Sequence, residues 1–274
     1  MTAAPKRWLL AALYRITRSQ MVWLRWLLIR GFMFFYAIDL SDAATGDLRA
    51  YSDFNAFFTR ALGTGRRPPG PAPDLLSPVD GTLVSFGQAH DSDVVSVKGQ
   101  AFSWTGLGSR ASPTPGLFDP DAVFFNFYLA PHDYHRVHMP SAGRLVHAEW
   151  IPGRFRSVNP SRVARRPDTL AQNERVLLTF ATECGPLQLI LIAARLVGGI
   201  ETPWCPARLS WQDTGPAFQE ALARGIGRSF GRGDEIGRFN YGSSVIVLAP
   251  GSIWQPTRDL GKVRVGETCA RPRA

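Results

Sequence analysis

Beyond the run Arg66-Arg67-Pro68-Pro69-Gly70-Pro71-Ala72-Pro73, the sequence breaks into short β-branched or aromatic segments separated by turn residues. Thr82–Phe86, Val94–Val97, Val123–Leu129, Val176–Phe180, Leu187–Val197 and Ser244–Leu248 each read as a strand, and their spacing predicts a largely antiparallel β core. One helical interruption is expected inside it, at Pro216–Arg224 (PAFQEALAR). Ahead of the proline run the character is helical, with a short helix predicted over Asp47–Leu62. The expected fold class is α+β, with N-terminal amphipathic helices on an antiparallel β core.

The N-terminus carries a second constraint. Met21–Ile38 (MVWLRWLLIRGFMFFYAI) is the most hydrophobic stretch of the 274 residues, yet it contains Arg25 and Arg30. A spanning helix needs ~20 mostly apolar residues, and a central arginine costs about 2.5–3.5 kcal/mol. The same arginines, and the lack of a small-residue cleavage site, argue against a signal peptide. The chain has a net charge of +9, and residues 1–38 supply six basic groups without one acid. On one continuous helix, Arg7, Arg15, Arg18, Arg25 and Arg30 would fall within about 140° of arc. That pattern predicts an interfacial helix lying on an anionic bilayer; the rival reading is a helix packed on the protein's own core. The expected organisation is a membrane-associating helical segment over 1–45, a helix and proline-rich linker over 46–73, and a β-rich catalytic domain over 74–274.

Apolar residues at 45% and charged residues at 19% exclude a disordered or collagen-like chain. Cys184, Cys205 and Cys269 are odd in number and form no CxxC, so neither a disulfide framework nor a zinc knuckle is expected, and a reducing compartment fits.

Three of the five histidines, His132, His135 and His138, lie in LAPHDYHRVHMP. Their spacing puts neighbours on opposite faces of a strand and spreads all three around a helix, so a metal site is not expected. Acid–base chemistry is the better use of such a cluster. Asp80 lies in Ser77-Pro78-Val79-Asp80-Gly81, a turn feeding a strand, and Ser243 lies in Asn240-Tyr241-Gly242-Ser243-Ser244, just before another. No GxSxG elbow, phosphate-binding loop or Rossmann glycine triplet follows a strand.

Taken together and in order, SPVDG (77–81), VKGQAFSWTGL (97–107), FYLAPHDYHRVHMP (127–140), SVNP (157–160), NERV (173–176), VGGIETPW (197–204) and GDEIGRFNYGSSVIVL (233–248) resemble the phosphatidylserine decarboxylase family. The resemblance spans about residues 51 to 250. One departure stands at the processing signature, where the usual bacterial Leu-Gly-Ser-Thr is replaced by Tyr241-Gly242-Ser243-Ser244.

This resemblance implies a pyruvoyl enzyme that makes phosphatidylethanolamine from phosphatidylserine through a Schiff base. The cofactor would be a covalent pyruvate made from Ser243, after self-cleavage between Gly242 and Ser243 into a β chain of 1–242 and an α chain of 243–274. His138 would be the base that activates Ser243, Asp80 its orienting carboxylate, and His135 the acid in decarboxylation. The expected partners are phosphatidylserine in an anionic membrane, the two mature chains for each other, and a second copy in a homodimer; nucleic acid is not expected. The expected location is the cytoplasmic face of the bacterial inner membrane, held peripherally. The rival chemistry is a membrane-associated lipid hydrolase using Ser243, His138 and Asp80.

Overall fold

The computed structural model describes residues 4–90, 93–95, 101–103, 107, 122–166, 168–194, 199–205, 216–240 and 242–273. Its spine is a ten-stranded antiparallel sheet. Across that sheet run Ser229–Phe230, Gly143–Ile151, Arg175–Thr182, Gly185–Ala193, Ser243–Ala249, Val123–Leu129, Gly81–His90, Asp93–Val95 and Ala101–Ser103. Gly261–Val263 also pairs with Gly81–His90. The central strands are covered on both sides, which is why they read as nearly continuous apolar runs instead of alternating ones. Phe125, Phe127, Leu189, Leu191, Val245 and Val247 meet on one face, with Phe124, Ile190 and Leu248 on the other, all buried. Two three-stranded sheets flank this spine. One joins Leu75–Leu76, Thr268–Pro272 and Trp254–Pro256; the other joins Ile200–Glu201, Glu235–Phe239 and Arg136–His138.

Val123–Leu129 is present as expected; four other expected strands and the Pro216 helix are present with shifted ends, the helix running Pro216–Ala223. The strand expected at Val94–Val97 is described only as Asp93–Val95, and most of the 97–107 motif lies outside the described residues. Gly143–Ile151 escaped the sequence reading because charged side chains interrupt its apolar ones.

The helix expected over Asp47–Leu62 is instead two pieces, a 3-10 turn at Leu48–Ala50 and helix α3 at Phe54–Phe58. The break is specified locally. Tyr51 is extended and buried, with its hydroxyl donating to the Thr45 carbonyl at 2.8 Å. Asp53 then restarts the helix as its N-cap, its Oδ1 accepting from the Ala56 N–H at 2.8 Å.

The N-terminal stretch is also broken, into α1 (Ala4–Thr17) and α2 (Val22–Phe35). Met21 leaves the helical region at ψ 117°, so the five arginines do not share one helical face. Arg18 reaches Glu201 at 3.3 Å, and Arg25 donates to the Tyr51 carbonyl at 3.0 Å. One side of α2 packs on the protein's own core, and the other leaves apolar side chains exposed. Ile29 and Phe32 pack against Tyr51, Phe54, Phe57 and Phe58 in a small core of their own. Trp23, Leu27, Phe34 and Phe35 point outward, the last two 85% and 79% exposed. Among the described residues, no helix is long and apolar enough to cross a membrane.

The proline-rich run between these parts is tied down. Arg232 donates to the carbonyls of Gly70, Pro71 and Asp74 at 3.0, 2.9 and 2.6 Å. Gly70 N–H donates to the Gly266 carbonyl at 2.8 Å, so the run is a strap fastened to the β body.

Candidate active site

Ser243 opens the strand Ser243–Ala249, with Leu129 opposite it on one side and Ala193 on the other. Its side chain is fully buried, and its Oγ has no hydrogen-bond partner among the described residues. A buried hydroxyl left unbonded costs about 1–3 kcal/mol, so natural proteins rarely keep one without a use. Gly242 precedes it where the ladder begins. A Cβ there would come no closer than 3.8 Å to the Leu129 carbonyl oxygen among the described neighbours, so space surrounds the bond joining these two residues.

The histidines sit on the edge strand Arg136–His138 of a flanking three-stranded sheet and on the turn that precedes it. His138 ends Arg136–His138 and pairs with Glu235; its backbone N–H donates to the Pro78 carbonyl at 2.8 Å, tying it to the Asp80 turn. Its Nδ1 lies 2.7 Å from the Gly233 carbonyl and its Nε2 lies 2.9 Å from the Tyr134 hydroxyl. A carbonyl can only accept, so Nδ1 carries the proton and Nε2 accepts from Tyr134. Burial of His138 lowers its pKa, partly offset by the bond to Gly233.

His135 is more enclosed. Its Nδ1 donates to the Asp133 carbonyl at 2.8 Å, and its ring lies 4.3 Å from that of Phe58, on α3. Its Nε2 is buried and, among the described residues, unbonded. Burial pulls its pKa down to about 3, so it stands neutral with an open lone pair.

That burial has a measurable sign. The unfolded chain takes up a proton on this histidine below its ordinary pKa near 6.5, whereas the folded chain does not until about 3. Stability should therefore fall as pH drops through this window, by up to ~1.4 kcal/mol per pH unit for one proton. Measured on chains kept in one piece by Ser243→Ala, urea midpoints between pH 7 and pH 4 should fall less steeply with His135→Gln than without it. Equal slopes would show that His135 does not fold as a neutral, buried group.

Asp80 lies beside the histidine cluster but is held by other partners. Arg67 grips its carboxylate through both Nη2 (2.7 Å) and Nε (3.2 Å), and the Val265 N–H donates to Oδ1 at 2.8 Å. The same guanidinium reaches Asp42 at 2.6 Å, and the two carboxylates raise its pKa. Among the described residues, Asp80 and His138 share no hydrogen bond; the charge of Asp80 reaches both His138 and Tyr134 through space. Sequence reading missed Arg67, which lies in the proline-rich run, and Tyr134, which stands four residues before His138.

Two cavities approach this centre. A polar cleft of about 450 Å³ is lined by Arg67, Asp80, His132, Tyr134, Lys262 and Arg264, among others. A more apolar groove of about 540 Å³ is lined by Tyr128, Val158, Val163, Leu170, Leu260 and Ser244, among others. Ser243, His135 and His138 line neither; Ser243 and His135 are fully buried, and His138 is partly buried.

Known proteins resemble this chain over most of its length. The family model for phosphatidylserine decarboxylase matches residues 54–271. The phosphatidylserine decarboxylase proenzyme of Marinobacter nauticus is 41% identical over 247 residues, which cover 87% of this chain and 84% of the relative. That of Nitrosococcus oceani is 40% identical over 256 residues, covering 90% and 80%. That of Delftia acidovorans is 38% identical over 255 residues, covering 90% and 86%. Likeness on this scale, over a fold with a buried serine and neutral imidazoles, defines an enzyme of the decarboxylase class. The chain belongs to the phosphatidylserine decarboxylase family.

Proposed function

We propose that this chain is a proenzyme that cuts itself between Gly242 and Ser243 and, with the pyruvoyl group so made, converts phosphatidylserine to phosphatidylethanolamine. The observation that carries this reading is the Ser243 hydroxyl, wholly buried and, among the described residues, unbonded at the start of the central strand. A hydroxyl kept for structure would be paired; one kept for attack on the adjacent carbonyl need not be.

In the cleavage, Ser243 Oγ adds to the Gly242 carbonyl and the Ser243 nitrogen leaves, which turns the peptide bond into an ester. Loss of the Ser243 Cα proton then breaks the Cβ–Oγ bond, so the first chain departs ending in the Gly242 carboxylate. Water replaces the remaining nitrogen, releases ammonia, and leaves the pyruvoyl group on residue 243. A serine hydroxyl needs a base. His138 is that base, and Asp80 fixes the charge around it, with the Tyr134 hydroxyl the group that must release Nε2.

When formed, the pyruvoyl carbonyl supplies an electron sink: it takes the substrate amine and spreads the electron pair that departing CO₂ leaves behind. His135 is the acid that protonates the carbon that loses CO₂, through the Nε2 that is unbonded among the described residues. The apolar groove ending at Ser244 gives a diacyl substrate its approach. The exposed apolar side of α2 holds the enzyme on the cytoplasmic face of the inner membrane without crossing it.

Intact mass under denaturing conditions tests this. The expected masses are those of 1–242 and of 243–274, the second lighter by one ammonia than an unmodified fragment. A hydrolase built on Ser243, His138 and Asp80 would remain a single chain of 274 residues.

A further inference from the structure

The segment 154–168 holds five arginines, Arg154, Arg156, Arg162, Arg165 and Arg166, against one acid, Asp168. Four of them line a cavity of about 480 Å³ together with Phe155, Ser157 and Thr169, and no carboxylate contributes to its wall. Among the described residues none of the five is in an ion pair, and the single side-chain bond is from Arg156 Nη1 to Gln172 Oε1 at 2.8 Å. Crowding like charges on one short segment raises its energy unless an anion comes to meet them.

The segment is not a loose loop. Asn173 clamps it, its Nδ2 donating to the carbonyls of Arg156 and Ala193 at 2.8 Å while its Oδ1 accepts from the Arg156 N–H at 3.0 Å. Val158 and Val163 are buried beneath it.

Its position is equally specific. Val158, Pro160, Val163 and Ala164 form one wall of the apolar groove that ends at Ser244. Tyr128, in the same groove, approaches Asn159 on one side and lies within electrostatic reach of Tyr36 on the other. Tyr36 follows the exposed Phe34 and Phe35 at the end of α2. By contrast, Arg18, just after α1, and Arg25, on α2, are already engaged by Glu201 and the Tyr51 carbonyl.

We infer that Arg156, Arg162, Arg165 and Arg166 form a docking surface for the phosphate groups of an anionic bilayer, placed at the mouth of the groove. The inference rests on the reading of the chain as an enzyme of a lipid substrate. The helices would supply apolar insertion, and this surface the charge that sets the groove down on the bilayer.

The test uses the full chain with vesicles of phosphatidylcholine, alone or mixed with phosphatidylglycerol. An arginine near an anionic surface is worth about fivefold in partition. Arg162→Gln/Arg165→Gln/Arg166→Gln should therefore bind the mixed vesicles on the order of a hundredfold more weakly and the neutral ones equally. Arg165→Glu, a single change at an exposed position, should lose about tenfold or more, and it answers the question if the triple variant does not fold. Partition within about twofold of the parent for Arg165→Glu overturns the proposal. Release of the parent from mixed vesicles by soluble glycerol phosphate at the lipid's own phosphate concentration also overturns it, because the site would then be one for free phosphate. Gels on the same samples keep the two readings apart. A parent chain that never cleaves but binds through these arginines would remove the pyruvoyl mechanism and leave the surface standing.

Discussion

Ser243→Ala should run as one uncut chain and show no decarboxylation above background. The variant costs the fold little, since the hydroxyl it removes is buried without a partner among the described residues, and alanine fills most of the same space beside Leu129 and Ala193. What it removes is the only oxygen that can both attack the Gly242 carbonyl and later leave from Cβ. The expected loss is thus complete in chemistry and small in stability. Gel electrophoresis and intact mass read the first, and thermal unfolding reads the second. Cleavage at Gly242 in this variant would overturn the assignment of Ser243. A single chain that has also lost its fold would instead show that the hydroxyl is structural. Ser244→Ala is the neighbouring control: that side chain lies on the opposite face of the strand, facing the apolar groove, and its loss should slow processing at most.

The second large effect is expected at His135. His135→Ala should still self-cleave, because its role follows formation of the pyruvoyl group, but should turn over about 10²–10⁴ times more slowly, as is usual for a lost acid–base group. The structure sharpens this expectation. His135 has the unbonded Nε2, whereas the Nε2 of His138 is occupied by Tyr134. Removing the imidazole also leaves a void against Phe58, so His135→Gln serves as the better-packed companion. Two rates measured on cleaved protein decide the matter: a loss of tenfold or less in both variants would exclude an acid–base role. His138→Ala should behave oppositely and stay uncut.

The long central strands were legible because burial on both faces writes itself as an unbroken apolar run, as in Val123–Leu129. Short pieces such as Arg136–His138 were not, although they carry a site histidine, because three residues hold no period. The division of α1 from α2 was hidden for a different reason. No glycine or proline marks it, and the polar pair Ser19-Gln20 is the one local sign, too weak against an apolar run on each side. Motifs alone mark Asp80, His135, His138 and Ser243 as candidates. Arg67 and Tyr134 act through folded proximity, which spacing does not encode: Arg67 joins Asp42 to Asp80 from within a run that reads as a spacer. The family resemblance implies that Asp80 orients His138, and no motif spacing announces the partners that hold its carboxylate in the fold, Arg67 and the Val265 N–H.

The strand that begins at Ser243 has a further consequence for the life of the molecule. Seven residues of it are paired with Val123–Leu129, six with Gly185–Ala193, and the remainder of 243–274 is stitched into the body at Gly81–Leu83 and Leu75–Leu76. The bond between Gly242 and Ser243 acquires its surroundings only after the chain on both sides has been laid into the sheet, so under the proposed cleavage assembly would have to precede cutting. A molecule cut there could not retrace its path. Its unfolded form would be two separate peptides that must find each other at random, with no bond left to restore, and the smaller could not rebuild a central strand alone. Such an enzyme would be assembled once, and its durability would be governed by how slowly it comes apart rather than by an equilibrium it can revisit.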